Sequence, residues 1–563
     1  MSETPEEKNA DAPPPEPAPA PAPDPAPAPD PAPVPAPAPE VIAKVEEPEE
    51  PPPEKPQPTP PSALAKLDFP LTLVALVFGV FLLLGIQFST EQLIDHDSLY
   101  HVEAAHLLAH NENLILKREF PWMQATFLLK HYADKEFLFH ALLIPFCDNV
   151  KNMDEGGKQA TVVFGAFVLV AFVLAVGGAG IRHGWLWLLL FLGAGYIPLF
   201  RLTETRPHLL SVGLVLLGVR FVLRRQALPL YFVGFLLAWS YSGPQVLPAL
   251  AIAAAIAVAA REETIVWKPA AASVVGVASG LLLNPFVPNN LRLWYVQNVE
   301  VLLRAWGVHP SMARLGEELT PFTTRALLLQ APGLAFAAMA ALVTLVLARK
   351  RPSSRTAQLA ALAIGSSVAL AFSAKFLDYA APLVVLFAGA AIDDQWRALA
   401  PPATERRRLW RRGLQGTFLA LVLGLVVLSG VRCRDFVKRT FSSDPPLRGC
   451  ARWLRGNAVG MTVVHFDWND FSTLFHDDPQ SFYLFGLDPT FAEVTEPKLI
   501  SYLESIRALK LDVKPRWFRE YGLETKPAFL VVKQGTPEAT ACIAANLDIK
   551  FEDDGGIVFS LGE

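Results

Sequence analysis

The sequence predicts an all-α polytopic membrane domain with about eleven transmembrane helices, preceded by a disordered tail and followed by a soluble α/β or α+β domain. Hydrophobic residues make up 52% of the 563-residue chain and charged residues only 18%, which is too apolar for a soluble protein of this length. Apolar runs of near-spanning length recur between residues 66 and 430. The segments on either side of that range lack such runs, so the chain divides into three parts.

Residues 1–65 are an Ala-Pro repeat with scattered Asp and Glu. The repeat has almost nothing apolar to bury, and recurrent Pro interrupts helix and sheet, so we expect a disordered, extended arm. This arm could be a spacer or could dock a partner protein. Its acidic residues leave the rest of the chain only mildly basic, so no nucleic-acid partner is expected. Because no basic and apolar leader opens the chain, the first span should act as the signal anchor.

The predicted spans make up residues 66–430, the multi-pass domain. Their approximate limits are 71–88, 161–181, 185–200, 208–223, 228–241, 246–260, 269–286, 327–348, 356–372, 380–394 and 414–430. Loops rich in Lys and Arg fall on alternate connections, at 224–225, 261, 349–355 and 397–412. Because such loops stay in the cytoplasm, the N-terminus is predicted to be cytoplasmic. In a bacterial inner (plasma) membrane, residues 89–160 and 431–563 would then be periplasmic.

These two outer segments have different predicted structures. Residues 89–160 mix apolar and polar stretches without a spanning run, which favours interfacial helices. Residues 431–563 have soluble character, and Cys433 and Cys450 could form a disulfide there, a point that their spacing leaves open. The predicted elements of this domain are strands at 461–466, 528–532 and 556–560 and a helix at 497–510.

The first candidate site follows the first span at once, with Asp95-His96-Asp97 and then His101. Two carboxylates two residues apart at a bilayer mouth repel each other and lose hydration, which favours a shared divalent cation or a shared proton. Such a pair can hold Mg²⁺ or Mn²⁺ against a phosphate. Alternatively, Asp97 or Ser98 only caps the helix that follows, and the other side chains are solvated.

The second candidate site is the next outer connection, which carries Arg201, Glu204, Arg206 and His208. This is dense charge for a short turn between two spans. Glu204 could complete a metal site or act as a base, while the two arginines and the histidine bind a phosphate-bearing substrate. Alternatively, the acid and the arginines only pair with one another at the membrane interface.

Further candidates are spread over the outer loops. Trp122 and Lys135 lie in stretches of the first loop that combine aromatic and charged residues, as a surface that stacks sugars and binds phosphate would. Lys375 stands at the outer end of a predicted span, where it could neutralise a lipid phosphate. Each could equally be an interfacial anchor. His106 and His110 have a metal-ligand spacing without a further ligand nearby in sequence, which favours a solvated helix face.

Together, these features resemble those of the C-type integral membrane glycosyltransferases. That superfamily includes the oligosaccharyltransferase catalytic subunits, protein mannosyltransferases and lipid A aminoarabinose transferases. The resemblance covers residues 66–563. It rests on Asp95-His96-Asp97 directly after the first span, the long first outer loop, the second-loop acid Glu204 and the C-terminal domain outside the membrane.

The resemblance implies roles for several residues. The donor would be a sugar on a polyprenyl phosphate or pyrophosphate, and Asp95 or Asp97 would be the catalytic base or a metal ligand. Arg206 and Lys375 would neutralise the donor phosphate. The acids at 317–318 could supply a further ligand, as the corresponding loop does in oligosaccharyltransferases.

The run at 465–471, His-Phe-Asp-Trp-Asn-Asp-Phe, resembles the Trp-Trp-Asp-Tyr-Gly motif that reads acceptor peptides in oligosaccharyltransferases. This would make Asp467 and Trp468 substrate-binding residues. The run has one Trp and no Gly, so recognition of a peptide sequon is not implied. The sequence therefore predicts an inverting glycosyltransferase whose partners are a polyprenyl-linked donor and membrane lipids. A transporter or flippase, or a non-catalytic membrane scaffold, is the alternative.

Overall fold

The computed structural model describes residues 63–148, 152–309, 316–348, 351–399 and 404–562. The predicted tail lies outside these residues except at its end, where the first helix already begins at Ala63. Arg349 and Lys350, which contributed to the prediction of orientation, also lie outside them. The described residues form one folded unit.

Helices make up most of this unit. The first helix and the first outer loop contribute α1 (Ala63–Gln87), α2 (Asp97–His110), α3 (Asn113–Leu116) and α4 (Phe137–Cys147). The middle of the chain contributes α5 (Met153–Gly178), α6 (Gly184–Leu192), α7 (Tyr196–Arg201), α8 (His208–Leu223), α9 (Ala227–Ser240), α10 (Val246–Glu262) and α11 (Lys268–Leu282). Then follow α12 (Asn289–Tyr295), α13 (Val301–Ala305), α14 (Thr324–Gln330), α15 (Pro332–Val346), α16 (Ser354–Phe372), α17 (Leu377–Ala398) and α18 (Glu405–Thr440).

Five of the described helices are long and apolar enough to cross a membrane, namely α1, α5, α16, α18 and α17 with the 3₁₀ turn before it. The pair α14 and α15, bent by 99°, is a sixth span if it is counted as one. Shorter apolar helices are α4, α8, α9 and α11. The chain is an integral membrane protein. The predicted count of about eleven spans is not confirmed, because several predicted runs form helices shorter than a bilayer is thick.

The run predicted as one span at 185–200 is broken at Gly195 into α6 and α7. The φ angle of Gly195 is +155°, and a Cβ atom there would lie 2.3 Å from the carbonyl oxygen of Gln330. Beside it, the carbonyl of Ala194 accepts a 2.9 Å hydrogen bond from the N–H of Leu334. The break therefore faces the bend between α14 and α15, and a residue without a side chain permits this approach of two backbones.

The longest helix, α18, has 36 residues, a length of about 54 Å, against a hydrocarbon core of about 30 Å. It therefore continues beyond the bilayer towards the C-terminal part. Cys433 lies in this helix and Cys450 lies in the next one, and both are buried free thiols. The disulfide that their spacing left open is therefore not formed.

The C-terminal part is a five-stranded mixed sheet flanked by helices. The helices are α19 (Arg448–Asn457), α20 (Asp470–Asp477), α21 (Pro489–Glu493), α22 (Pro497–Arg507), α23 (Pro515–Glu520) and α24 (Pro537–Ala544). The strands are β1 (Thr462–Val464), β2 (Phe482–Tyr483), β3 (Pro527–Lys533), β4 (Asp548–Glu552) and β5 (Gly556–Ser560). Their order is β2-β1-β3-β5-β4. Parallel pairs join β2, β1 and β3, whereas β5 is antiparallel to β3 and β4.

The predicted strands at 461–466, 528–532 and 556–560 are confirmed as β1, β3 and β5, and the helix predicted at 497–510 is α22. Two strands were missed. β2 has only two residues, too few for a pattern. β4 alternates charged and apolar residues over Asp548–Glu552, which is the signal of a half-buried strand and could have identified it.

The first outer loop is hydrogen-bonded to this sheet. The N–H groups of Gln124 and Ala125 donate to the carbonyls of Tyr483 and Leu484 at 2.8 Å, and the N–H of Tyr483 donates to the carbonyl of Trp122 at 3.1 Å. Helices α2 and α20 pack together over an aromatic core that the loop and the sheet share. The loop and the C-terminal part therefore support each other.

Candidate active site

Charged side chains from separate segments meet where α2, α8 and α17 begin. We call this group the acid–arginine cluster. Its members are Asp95 and Asp97 at the start of α2, Arg201, Glu204 and Arg206 between α7 and α8, Glu318 before α14, and Lys375 and Asp378 at the start of α17.

Arg206 lies among three carboxylates of the cluster. Its Nη2 donates a hydrogen bond to Oδ2 of Asp97. Its Nε lies 3.5 Å from Asp95, and its Nη1 lies 3.4 Å from Glu318. The side chain is only 17% exposed, so these anions compensate a largely desolvated charge. One guanidinium therefore connects the first outer loop to the segment before α14.

Arg201 holds the acids on the other side of the cluster. It donates two hydrogen bonds of 2.9 Å to Asp378, and its Nη1 lies 2.6 Å from Oε2 of Glu204. The side chains of both acids are nearly fully buried. His208 donates from Nε2 to the carbonyl of Arg201 at 2.7 Å, which fixes the turn between α7 and α8. The pairing of Arg201 with two acids gives this side of the cluster a fixed geometry.

Lys375 is the more accessible cation of the cluster. Its Nζ lies 3.5 Å from Glu318 and 5.9 Å from the ring centroid of Tyr241. Its side chain is 32% exposed. The hydroxyl of Ser373 donates to the carbonyl of Glu318 at 2.9 Å, so the two segments that carry this pair are held together. A partly exposed ammonium in a fixed position can receive an anionic ligand.

The acidic motif is tied directly to the second loop. The φ angle of Asp95 is +75°, an uncommon backbone conformation that is typical of functional sites when the surroundings enforce it. Ser98 enforces it here, because its hydroxyl donates to the carbonyl of Ile94 at 2.8 Å and accepts from the N–H of Thr205 at 3.1 Å. The N-cap of α2 has no side-chain hydrogen bond. The alternative in which Asp97 or Ser98 only caps the helix is therefore wrong.

Burial moves the pKa values of the acids in different directions. Burial raises the pKa of Asp95 to about 6, which Arg206 only partly opposes. Burial also raises the pKa of Glu204 to about 8, which Arg201 only partly opposes. Burial opposes ionisation of Glu318 too, but Lys375 and the two arginines outweigh it and hold the pKa of this acid well below its usual range. The pKa values of Asp95 and Glu204 are therefore shifted towards neutral pH, whereas that of Glu318 is shifted away from it.

The cluster does not fit a divalent cation in this arrangement. Where Asp95, Asp97 and Glu318 approach one another, the guanidinium of Arg206 lies between them. Glu204, the third ligand predicted from the sequence, faces an arginine. Among the described residues, the groups whose ligand atoms lie close enough to share an ion are elsewhere. Mg²⁺ needs oxygen ligands at about 2.1 Å in near-octahedral geometry. In this arrangement the cluster does not offer such a ligand set to the predicted Mg²⁺ or Mn²⁺ ion.

Two predicted substrate-binding residues of the first loop have other partners. The indole N–H of Trp122 donates to the carbonyl of Pro479 at 2.7 Å. Lys135 lies 3.5 Å from Glu136 and 5.9 Å from the ring centroid of Phe491. These contacts join the first loop to the C-terminal part rather than to the acid–arginine cluster.

The two C-terminal candidates differ in position. Asp467 is paired with Arg507 at 2.9 Å, within the C-terminal part. The ring of Trp468 would lie 3.5 Å from a Cβ atom built on Gly316, two residues from Glu318. The structure therefore brings Trp468 close to the segment that supplies the cluster with an acid.

The histidines of the first loop are not part of the cluster. His101 is buried and lies 2.9 Å from His140, measured between Nδ1 and Nε2. His106 and His110 lie 3.7 and 3.1 Å from Asp148. The sequence analysis missed Asp148 because it is far from both histidines along the chain, and only the packing of α4 on α2 brings it there.

Asp378 was missed as a site residue. It lies in the short outer connection just before the predicted span at 380–394, and charge at a span mouth is a signal that could have identified it. Its partner, Arg201, is distant in sequence, so the pair itself could be recognised only from the fold.

Solved structures with the same architecture are membrane glycosyltransferases. The Archaeoglobus fulgidus oligosaccharyltransferase AglB, in complex with an inhibitory peptide and a dolichol-phosphate, aligns with a TM-score of 0.55 at 11% identity over 83% of this chain and 70% of that chain. ArnT from Cupriavidus metallidurans bound to undecaprenyl phosphate aligns with a TM-score of 0.54 at 13% identity over 88% and 98%. The fold is that of the C-type membrane glycosyltransferases.

The mycobacterial arabinofuranosyltransferase AftD shares this C-type fold, with a TM-score of 0.52 at 14% identity over 87% of this chain and 40% of that chain. The sequence matches no family model and no curated protein. The resemblance expected from the sequence is therefore confirmed at the level of the C-type fold.

Proposed function

We propose that this protein transfers a sugar from a polyprenyl phosphate or pyrophosphate to an acceptor, with inversion at the anomeric carbon, and that the acid–arginine cluster is the active site. The observation that carries this proposal is the position of Arg206 among Asp95, Asp97 and Glu318 at the mouth of an apolar helix bundle. Both ArnT and AglB have been solved with a polyprenyl-type phosphate, and a lipid-linked donor needs a charged site beside the bilayer.

Asp95 is the candidate general base. Its Oδ2 is buried without a hydrogen-bond partner, whereas Asp97 is bonded by Arg206. The acceptor oxygen attacks the anomeric carbon of the donor and loses its proton to Asp95. The bond between that carbon and the phosphate oxygen breaks, and its electron pair leaves with the phosphate. A base with a pKa just below the working pH is suited to this transfer.

The cations stabilise the leaving phosphate. Lys375 is half-buried and can reach an anion directly, while Arg206 can exchange one of its three carboxylate contacts for a phosphate oxygen. Guanidinium groups bind phosphate in a two-pronged geometry. Positive groups fixed in advance at the position of developing negative charge lower the barrier without reorganisation. His208 and Arg201 support the turn that carries Arg206.

No metal ion takes part in this proposal. One structure of the A. fulgidus enzyme contains Zn and sulfate, but the acids of the present cluster are occupied by arginines. We expect added Mg²⁺ or Mn²⁺ to leave donor turnover unchanged, both before and after treatment with EDTA. A rate that falls in EDTA and returns with either ion would show that the arginines give way to a cation, as the sequence motif predicted.

The cluster is proposed to face the periplasm. It lies at the start of α17, whereas the arginine-rich segment at 397–412 follows the other end of that helix. Because arginine-rich loops remain in the cytoplasm, the cluster, the first outer loop and residues 431–563 would lie on the opposite side of an inner membrane. Labelling of single introduced cysteines by a membrane-impermeant reagent in intact cells tests this placement.

The function is tested with the full-length protein in lipid nanodiscs and a panel of polyprenyl-linked sugars. Release of the polyprenyl phosphate and loss of the sugar from the lipid are measured for each donor. Turnover of one donor class identifies the substrate. Absence of both turnover and donor binding across the panel contradicts the proposal and favours a transporter or a scaffold.

A further inference from the structure

A second group of buried ionisable side chains lies outside the acid–arginine cluster, between α2 and α4. It consists of His101 from α2, His140 from α4 and Glu136 just before α4, with Asp134 beside them. All four are at most 5% exposed. One ligand atom from each of His101, Glu136 and His140 lies within 4.8 Å of the other two. The proposed transfer reaction does not use this group.

The orientation of His140 is fixed by a carboxylate. Its Nδ1 lies 2.7 Å from Oδ2 of Asp134, and Oδ1 of Asp134 accepts the N–H of Glu136 at 2.9 Å. Nδ1 of His140 therefore carries the proton that this carboxylate accepts, and Nε2 is the ring nitrogen that faces Nδ1 of His101, 2.9 Å away. Histidines that bind zinc usually donate their other ring N–H to a carboxylate in this way.

Glu136 presents an unsatisfied acceptor to the same space. Its Oε2 is buried and has no hydrogen-bond partner, and Lys135 lies 3.5 Å from the other oxygen. A buried carboxylate oxygen without a partner is costly. A cation between the carboxylate and the two imidazole nitrogens would remove that cost.

We infer that His101, Glu136 and His140 bind one Zn²⁺ ion. Two neutral imidazoles and one carboxylate are an established donor set for zinc, whereas Mg²⁺ and Ca²⁺ prefer oxygen ligands alone. In a tetrahedral site the two nitrogens lie about 3.3 Å apart, so a small rotation of the rings admits the ion. Asp134 orients His140 and is a positioning residue.

This ion would fix the start of the first outer loop. His101 lies one turn after Asp97 on α2, and α4 packs against α2. A zinc ion that joins the two helices therefore holds the helix that carries an acid of the acid–arginine cluster. Because a buried site of this kind forms together with the fold, its binding energy contributes to folding stability.

The first test is the metal content of the full-length protein, purified in detergent without a polyhistidine tag. Inductively coupled plasma mass spectrometry should find one Zn per chain in the wild type, and His140→Gln and His101→Gln should each lose it. The matched control is the double variant His106→Gln, His110→Gln, which alters the more exposed histidine pair on the same helix and should retain the ion. Asp134→Asn should weaken zinc binding about 10–100-fold.

A second measurement covers the case in which the variants do not fold. Wild-type protein stripped with a chelator should unfold at a lower temperature, and Zn²⁺ but not Mg²⁺ should restore it. Protein reloaded with Co²⁺ should show the visible absorption of a tetrahedral complex. If the wild type contains no metal and added Zn²⁺ does not change its unfolding temperature, the inference is overturned. The group would then be a hydrogen-bonded chain from His101 through His140 to Asp134. Zinc lost from the control variant instead would overturn the inference too.

Discussion

Arg206 determines which chemistry the acid–arginine cluster can support. Its side chain connects Asp97, Asp95 and Glu318, and a lysine could not make these contacts at once because its charge is a single point. In the proposed reaction, Arg206 supplies the positive charge that a metal ion would otherwise bring to the leaving phosphate. The same side chain would then order the free site and stabilise the transition state.

We expect Arg206→Gln to lower donor turnover about 10²–10³-fold, the range for removing one charge-stabilising donor from an active site. Arg206→Lys should recover only part of this loss. The matched control is Arg452→Gln, whose side chain is 62% exposed and which should turn over donor at the wild-type rate. A folded Arg206→Gln protein with undiminished turnover would remove this residue from the mechanism.

The pH dependence follows from the burial of Asp95. Burial raises the pKa of this carboxyl to about 6, and a general base acts only when it is deprotonated. The value of kcat/KM should therefore rise with pH up to about 6 and level off above it, since kcat/KM reports ionisations of the free enzyme. The measurement is donor turnover at limiting substrate across this range, with circular dichroism to exclude unfolding. A profile that is flat through this pH contradicts the role of Asp95.

At the scale of elements, two interrupted helices position the second loop. The break between α6 and α7 meets the bend between α14 and α15 at Gly195. Helix α7 then ends at Arg201, and α14 follows the segment that carries Glu318. The first break therefore precedes Arg201 in the chain, and the second follows Glu318. The packing of the two breaks against each other helps to set the distance between Arg201 and Glu318.

Gly195→Ala should destabilise this arrangement. Its Cβ would lie 2.3 Å from Gln330, and the φ angle of +155° is unfavourable for any side chain. We expect a loss of about 2 kcal/mol or more, observed as a lower unfolding temperature. Gly85→Ala in α1 is the matched control, because a Cβ there meets nothing within 4 Å. Equal unfolding temperatures for the two variants would show that the contact between the breaks does not matter.

At the scale of the whole molecule, the class of fold could be predicted because it depends on composition and local pattern. Long apolar runs mark membrane helices, and short runs rich in β-branched and aromatic residues marked three of the strands. The number of spans could not be predicted in the same way. Runs such as 228–241 and 269–286 form the short helices α9 and α11, and hydropathy alone does not say whether a short apolar helix crosses the bilayer.

The sequence could predict the charged residues of the candidate site only loop by loop, without the contacts between loops. The sequence identified Asp95, Asp97 and Glu204 because charge at a span mouth is conspicuous. It could not show that Arg206 reaches Asp97 or that Arg201 pairs with Asp378, since these contacts bridge residues more than one hundred positions apart. The cation expected between the acids was inferred from one loop alone, and the guanidinium of Arg206, which lies at that position, comes from another loop.

The central claim is that the acid–arginine cluster transfers sugar from a polyprenyl-linked donor. The most direct test compares donor turnover by wild type, Asp95→Asn, Asp97→Asn and the exposed control Asp435→Asn in the same nanodiscs. The account predicts that Asp95→Asn abolishes turnover and that Asp97→Asn lowers it by removing an anion that holds Arg206. Both variants should still fold and bind donor, and the control should match wild type. Undiminished turnover in Asp95→Asn and Asp97→Asn would contradict it.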